Sequence, residues 1–282
     1  YFHILPIIVE KDYYVTMILR ELSERQGFVV FKGGTSLSKC HKAIKRFSED
    51  IDITIDSRLS QGQMKKLKEV IKDIAAELGL TIPNIEETRS RRSYNRYILE
   101  YQSALSEPDD AVQSAVLMET SFAEVSFPTV ILQVHSYIGD MMTKEAPDEL
   151  ENFHLEPFKM KVQGVDRTLV DKVFAICDYY MQDRVKKHSR HIYDIYKLLQ
   201  IVPQTAEFRA LIQEVRSVRA MTNICPSAQP EVNVPEMLNF LIDNEIYKDD
   251  YEKITARILE EDVNYETAIE AVKKIAASGM FE

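Results

Sequence analysis

Apolar residues in the first part of the chain change their spacing from that of a helix to that of a strand. Between positions 6 and 25 they recur mostly at three- and four-residue intervals, which predicts a helix. The β-branched and aromatic run at 28–31 predicts a short strand, which ends at Gly33 and Gly34 before another helix begins. Positions 51–56 alternate strictly between apolar and polar residues, the pattern of a half-buried strand. The predicted order is helix, strand, glycine turn, helix and strand.

The pattern continues with one more helix and several strands. A helix with a single apolar stripe is predicted over 63–78. Strands are expected at 93–102, 114–122, 129–135 and 158–162. Together these segments predict a mixed sheet flanked by helices.

Helical spacing dominates the remainder of the chain. A helix is expected to begin near Thr168, in a pattern that resembles a capping box, and another covers about 188–200. The tail beyond is interrupted by prolines and predicts two or three further helices. We therefore expect an α+β protein with two parts: a mixed-sheet lobe over residues 1–163 and a mainly helical lobe over residues 164–282.

Composition limits the classes of function. With 45% hydrophobic residues among 282, the chain can bury a sizeable core. It lacks an apolar run long enough to span a membrane and a signal-peptide pattern at its start, which predicts a soluble cytoplasmic protein with no membrane partner. A net charge of −10 disfavours a protein that coats long nucleic acids. A short nucleic-acid end, held by few contacts, remains compatible with that charge.

Acidic residues on the strand at 51–56 are candidate metal ligands. Because strand residues two apart point to the same side, Asp50, Asp52 and Asp56 should share one face of a strand that begins near Ser48. Magnesium prefers such oxygen ligands, and paired ions can hold the attacking and leaving oxygens of nucleotidyl transfer. Glu119 interrupts an apolar run and is a third candidate ligand. The alternatives are a solvated strand edge and a Glu119 paired with a nearby arginine such as Arg92 or Arg96.

The glycine pair is a candidate phosphate site. Glycines that open a helix let backbone N–H groups approach phosphate oxygens, and Thr35 and Ser36 add hydroxyls. The sequence matches neither a Walker A loop nor the GxGxxG pattern. The alternative is a purely structural turn.

The order of strand, Gly-Gly, helix and acidic strand is that of the polymerase-β-like nucleotidyltransferase fold. Two stretches, FKGGTSLSK at 31–39 and RFSEDIDI at 46–53, resemble the signature of the AbiEii/AbiGii toxin nucleotidyltransferase family. The resemblance extends to three further segments: 9–15, 168–172 and 190–196.

The resemblance implies a nucleoside triphosphate substrate and two Mg²⁺ ions. It assigns Gly33, Gly34 and Thr35 to the phosphates, and Asp50 with Asp52 to the metal. Further candidate nucleotide contacts are Lys32, Ser36, Lys39 and Ser48.

From the helical lobe, the resemblance places Lys172 at the active site, where an ammonium group would offset charge on the leaving pyrophosphate. It assigns Asp194 to orienting Lys172 or a metal-bound water. The alternative is that both residues are solvated, with Asp194 paired to Lys197 or Arg190. Arg46 is expected to brace Asp50 or Asp52 by bidentate pairing.

The family implies bacterial toxins of toxin–antitoxin and phage-defence systems, with a cognate antitoxin as partner. Some members add nucleotides to the 3′ end of tRNA, which stops translation. Cations mixed with an aromatic residue suggest where an RNA end would lie, although solvated basic residues are an equal alternative. These residues are Arg92, Tyr94, Arg96, Arg184, Lys186, Lys187 and Arg190.

His188 and His191 have a spacing that can hold zinc, but an exposed histidine pair is the preferred interpretation. Two other functions remain open. Transfer of a nucleotide to a protein hydroxyl would use the same metal chemistry. A non-catalytic module that binds nucleotide or antitoxin is a second alternative.

Overall fold

The computed structural model describes residues 4–105 and 113–282, and they form two compact units. The first contains the described residues up to 41 together with 48–163, and the second contains 42–47 together with 164–282. Sequence patterns placed 42–47 in the first lobe. The structure joins this segment to the second unit because its backbone pairs with residues 258–260.

The described part of the first unit contains four α-helices, and three of them begin where local sequence favours a helix start. Pro6 opens the first helix, where the missing proline N–H costs nothing. Ser60 and Gln63 form a capping box at the third helix, and Ser136 caps the fourth. The helices are α1 (Pro6–Arg25), α2 (Gly33–Lys39), α3 (Gln61–Glu77) and α4 (Tyr137–Glu145).

Six strands of the first unit form one mixed sheet. The strands are β1 (Val29–Lys32), β2 (Ile51–Ile55), β3 (Tyr94–Glu100), β4 (Ala115–Val125), β5 (Thr129–Val134) and β6 (Phe158–Gln163). Their order is β3-β4-β2-β1-β6-β5, and parallel pairing of β2 with β4 and of β1 with β6 alternates with antiparallel pairs. The mixed sheet predicted from sequence is thus present.

One face of this sheet carries the core of the first unit. Phe31, Ile53 and Met118 point into it and pack with apolar residues of α1 and α3, such as Leu19 and Ile71. Each such side chain contributes about 1.5–3 kcal/mol when it is removed from water. Because strand side chains alternate, the residues between these positions point to the other face.

The second unit is helical. Its α-helices are α5 (Val165–Met181), α6 (Arg190–Leu199), α7 (Ala206–Ala220), α8 (Val234–Asp243), α9 (Lys248–Lys253) and α10 (Tyr265–Ala277). Helix α5 begins three residues before the predicted start, and the Thr168 hydroxyl donates back to the carbonyl of Gly164 instead of capping the helix. The tail holds four α-helices where two or three were predicted, because the short α9 was not anticipated. Among the described residues, the helices are too short or too polar to cross a membrane.

Candidate active site

A row of charged residues crosses four strands on the face of the sheet opposite the core. Lys32 of β1 is the register partner of Asp52 on β2, and Asp52 is the partner of Glu119 on β4. Glu119 in turn faces Arg96 on β3. Residues directly opposite each other on neighbouring strands point to the same side. The row therefore runs cation, carboxylate, carboxylate, cation.

The two central carboxylates lack a cationic partner. In the part of the chain that the structure describes, no lysine, arginine or histidine nitrogen lies within 4 Å of the Asp52 or Glu119 carboxylate. The predicted pairing of Glu119 with Arg92 or Arg96 is therefore not formed. Two neighbouring carboxylates repel each other when both are ionised, and a bound cation relieves that repulsion. The pair fits a divalent ion that draws its remaining ligands from substrate phosphates and water.

The other two predicted acidic residues are placed differently. Strand β2 begins at Ile51, so Asp50 precedes the strand and the expected start near Ser48 is wrong. Asp56 follows the strand and forms an ion pair with Lys161. Within the described ranges, no three His, Cys, Asp or Glu side chains are arranged to hold a metal ion. A role for Asp50 in metal binding stays a prediction.

The glycine turn lies against Asp52. Gly33 has a φ of +78°, a left-handed conformation that favours glycine. A Cβ added to Gly33 would overlap Oδ2 of Asp52 and lie 2.8 Å from its Cγ. Only glycine therefore lets the turn approach the carboxylate so closely. The backbone that was predicted to receive phosphate and the carboxylate that was predicted to bind metal are adjacent.

The hydroxyl groups of α2 have partners inside the first unit. Thr35 Oγ1 and Ser48 Oγ are 2.9 Å apart and hydrogen bonded. Ser36 is fully buried, and its hydroxyl donates to the carbonyl of Gly33 at 2.9 Å. The structure thus gives Ser36 the role of holding the turn. Lys39, a candidate phosphate contact, instead pairs with Asp12 of α1, and its side chain is almost buried.

An exposed aromatic residue lies beside the carboxylate pair. The Tyr94 ring is 48% exposed, and Arg96, two residues along β3, is exposed on the same face. Burial of part of the phenol, the negative charge of Glu119 and a hydrogen bond to that carboxylate raise the pKa of Tyr94. Arg92 Nη1 donates to the Glu87 carbonyl at 3.2 Å. The predicted alternation of β3 is therefore correct, and it presents Tyr94 and Arg96 outward.

Charged residues of the second unit form a buried cluster around Asp194. Arg46 donates from Nε to Oδ1 of Asp194 at 2.7 Å and from Nη2 to Oδ2 at 2.9 Å. Nζ of Lys172 lies 3.2 Å from the same Oδ2 and donates to Nδ1 of His191 at 3.1 Å. Asp194 is fully buried and Lys172 is 8% exposed, so the interpretation of both as solvated residues is wrong.

The electrostatics of this cluster follow from burial and from the neighbouring charges. Burial alone would raise the pKa of Asp194, but the positive charges of Arg46 and Lys172 hold that pKa well below its usual range. Burial and the adjacent Lys172 ammonium hold the pKa of His191 well below 6.5. Near neutral pH, His191 is therefore uncharged, and its Nδ1 can accept a hydrogen bond from the Lys172 ammonium group.

Two features of the cluster were not predicted. Arg46 makes a bidentate pair with Asp194, which was not anticipated, and its bracing of Asp50 or Asp52 stays a prediction. His191 is buried and bonded to Lys172, so the exposed histidine pair is incorrect. The three-residue spacing of His191 and Asp194 on one helix was the available signal, because it places both side chains on the same face.

The segment between α5 and α6 carries exposed cations. Arg184, Lys186 and Lys187 are exposed, and the Arg184 guanidinium lies 5.5 Å from the centre of the Tyr179 ring. That ring stacks on His188 at 3.5 Å, and partial burial lowers the pKa of His188 to about 4, with help from Arg190 and Arg184. The cations predicted for this segment are thus accompanied by the Tyr179 ring, which was not predicted, and contact with an RNA end stays a prediction.

Comparison with known proteins gives a match to a family model and matches to solved structures. A family model described as the nucleotidyl transferase AbiEii toxin of type IV toxin–antitoxin systems matches residues 18–274. Among solved structures, the chain resembles MenT4, a nucleotidyltransferase toxin from Mycobacterium tuberculosis H37Rv. The TM-score is 0.57 at 16% identity, over 96% of this chain and 83% of that one, a likeness that confirms the predicted α+β fold class. No curated protein gives a significant match.

Proposed function

Because the chain belongs to the AbiEii family of nucleotidyltransferase toxins of type IV toxin–antitoxin systems, we propose that it transfers a nucleoside monophosphate from a nucleoside triphosphate to an RNA end. One observation carries the proposal. Asp52 and Glu119, which have no cationic partner among the described residues, lie beside a glycine turn whose backbone closely approaches one of them. Carboxylates next to a glycine backbone are what a metal-bound triphosphate requires.

The residues of the first unit then have separate tasks. The backbone of Gly33 and Gly34 receives phosphate oxygens, and Lys32 and Thr35 with Ser48 are further phosphate contacts. Two Mg²⁺ ions, when held by Asp52, Glu119 and Asp50 with the phosphate oxygens, would neutralise the triphosphate charge and polarise the reacting oxygens. The acceptor oxygen attacks the α-phosphorus, the bond to the bridging oxygen breaks, and pyrophosphate leaves.

In the second unit, Lys172 is proposed to offset the negative charge that develops on the leaving pyrophosphate. The contacts within the cluster support a role for Asp194 in orienting that lysine. Asp194 Oδ2 lies 3.2 Å from Nζ and is itself fixed by the bidentate Arg46. A fixed ammonium group loses less freedom on binding than a solvated one.

An RNA acceptor is favoured by the exposed face of β3. The Tyr94 ring can stack on a base, and Arg96 beside it can contact a phosphate. A short RNA end needs only a few such contacts, so its binding is compatible with the net charge of −10. We propose the tRNA 3′ end as acceptor, in the bacterial cytoplasm, so that transfer blocks translation. A role in phage defence and neutralisation by an antitoxin follow from the same proposal.

The proposal is tested by incubating the protein with each α-labelled nucleoside triphosphate, Mg²⁺ and either total RNA or total protein. We expect label on RNA of tRNA size, lost on RNase treatment, and absent when Mg²⁺ is chelated. Asp52→Asn protein is the control for a contaminating transferase. RNase-resistant, protease-sensitive label would instead assign a protein acceptor. Failure of wild-type protein to label either fraction would overturn the proposal.

A further inference from the structure

Helix α1 contains a charged motif, within residues 9–15, that the proposed chemistry does not use. Its consecutive residues Lys11 and Asp12 contact different parts of the first unit. Nζ of Lys11 lies 2.6 Å from Oε2 of Glu49, and Oδ1 of Asp12 pairs with Lys39. The two lysine side chains are almost fully buried. A buried lysine requires such a partner, so these ion pairs fix their positions.

The contact with Lys39 fixes the glycine turn. Lys39 is the last residue of α2, and Gly33 and Gly34 are its first two. Since a hydrogen-bonded helix is stiff over two turns, holding its last residue sets the direction of its first turn. The second oxygen of Asp12 accepts from the backbone N–H of Tyr137 at 2.9 Å, which ties the same carboxylate to the start of α4.

The contact with Glu49 fixes the acidic segment. Glu49 immediately precedes Asp50 and lies three residues before Asp52. A direct link between the two segments is the hydrogen bond of Thr35 with Ser48. The glycine turn and the start of β2 are therefore held both by α1 and by each other.

Chain connectivity explains why these contacts are needed. The residues that join α2 to Ser48, 42–47, belong to the second unit. Within the first unit, the spacing between the glycine turn and the acidic segment is therefore not set by a continuous stretch of chain. Backbone pairing of β1 with β2 brings Lys32 beside Asp52, and the side-chain contacts of α1 hold the segments that flank this pair, α2 and residues 48–50.

We propose that Lys11 and Asp12 are positioning residues that hold the glycine turn and the acidic segment in the arrangement that accepts the triphosphate. This inference rests on the proposed function, because the arrangement matters for catalysis only if the triphosphate binds there. Neither residue touches the substrate in this scheme. Their effect is on the orientation of α2 and of residues 48–50 around the paired Lys32 and Asp52, to which transfer is sensitive, since a displacement of about 1 Å can cost about a hundredfold in rate.

The kinetic test compares Lys11→Met with Arg25→Met, which removes an ion-pairing side chain from the other end of the same helix. Arg25 pairs with Glu21 and Glu77, away from both segments. We expect Lys11→Met to lower kcat by at least about tenfold, within the range that displacement of reacting groups produces. Lys11→Arg should recover most of the activity because it keeps the charge, and Arg25→Met should stay within twofold of wild type.

A second variant covers the case in which Lys11→Met does not fold. Glu49 is about one-third exposed, so Glu49→Gln weakens the same pair without emptying a buried position. The Lys11→Met/Glu49→Gln double variant should be no slower than the worse single variant if the two residues act through one contact. Additive losses, or kcat unchanged in both single variants, would overturn the inference.

Hydrogen–deuterium exchange separates this inference from the proposed function. Residues 33–41 and 48–52 should exchange at least about tenfold faster in Lys11→Met than in wild type or Arg25→Met, because local opening is easier when the ion pair is lost. Equal exchange in all three proteins would show that Lys11 does not hold these segments. Faster exchange in a protein whose wild type transfers no nucleotide would instead overturn the proposed function and leave the positioning role in place.

Discussion

In the first unit, the carboxylates of Asp52 and Glu119 lie on adjacent strands, and no basic nitrogen of the described residues is within 4 Å of either. In the second unit, the carboxylate of Asp194 is fully buried. It accepts two hydrogen bonds from Arg46, and its Oδ2 lies 3.2 Å from the ammonium nitrogen of Lys172. A carboxylate with its partners in place contributes to the stability of the free protein. A carboxylate without such partners is available to a ligand. Substitution of Asp194 should therefore lower the stability of the protein, whereas substitution of Asp52 should lower its activity.

The largest effect is expected from Asp194→Asn. The substitution removes the carboxylate charge that pairs with the buried Arg46 and Lys172, and breaking a buried ion pair in this way costs about 3–5 kcal/mol of unfolding free energy. Urea denaturation of wild type and variant measures the difference. Glu261→Gln is the matched control in the same unit, because Glu261 pairs with a more exposed lysine, Lys197, and should cost about 1 kcal/mol or less. Equal losses in the two variants would contradict the comparison.

Asp52→Asn should lower activity and leave stability intact. We expect nucleotide transfer to fall at least about a hundredfold, the scale of removing one preorganised electrostatic group. The melting temperature should stay the same or rise, because the change removes one of two neighbouring negative charges. Asp56→Asn is the control just beyond the same strand, since Asp56 pairs with Lys161 and its substitution should leave transfer within a few-fold of wild type. A cooperative loss of stability in Asp52→Asn would show that this carboxylate has a structural partner.

Acidification should weaken the second unit through His191. Because the pKa of His191 is held below its unfolded value near 6.5, the unfolded chain takes up a proton that the folded chain does not. The stabilisation is fully present above pH 6.5 and is lost as the pH falls towards the folded pKa. The unfolding free energy should change with pH, on account of His191, by at most about 1.4 kcal/mol per pH unit.

Urea unfolding at pH 7, 6 and 5 measures this slope. His191→Asn keeps an oxygen acceptor near the position of Nδ1 but does not titrate, so its stability should fall less steeply over the same range. His188, whose pKa is lowered to about 4, remains in both proteins and cancels in the comparison. Parallel slopes in wild type and His191→Asn would show that His191 is protonated equally in the folded and unfolded states.

Local pattern was sufficient for much of the first unit. The strand, glycine turn and helix at residues 29–39 were predicted because apolar runs and glycines act over a few positions. The alternation of β3 correctly placed Tyr94 and Arg96 on the exposed face. The position of Glu119 beside Asp52 was harder to predict from sequence, because β4 lies over sixty residues beyond β2 and its register is set by the whole sheet.

The buried cluster was missed for a different reason. Periodicity assigns charged residues to the solvent side of a helix, and the alternative interpretation of Lys172 and Asp194 as solvated residues came from that pattern. Burial of such residues depends on partners, and Arg46 is 148 positions from Asp194. Local spacing carries no information about a partner so distant. The same limit explains why the backbone pairing of residues 45–47 with residues 258–260 was not predicted.

The smallest effect is expected at Tyr94, whose exposed ring tests whether the open face of the first unit is an RNA surface. Tyr94→Ala should raise KM for the RNA acceptor about fivefold, from the loss of about 1 kcal/mol of base stacking, with KM for the triphosphate nearly unchanged. Tyr94→Phe keeps the ring and should match wild type. If Tyr94→Phe is as impaired as Tyr94→Ala, the hydroxyl bonded to Glu119 carries the effect. In that case Tyr94 orients a carboxylate and the acceptor surface must be sought elsewhere.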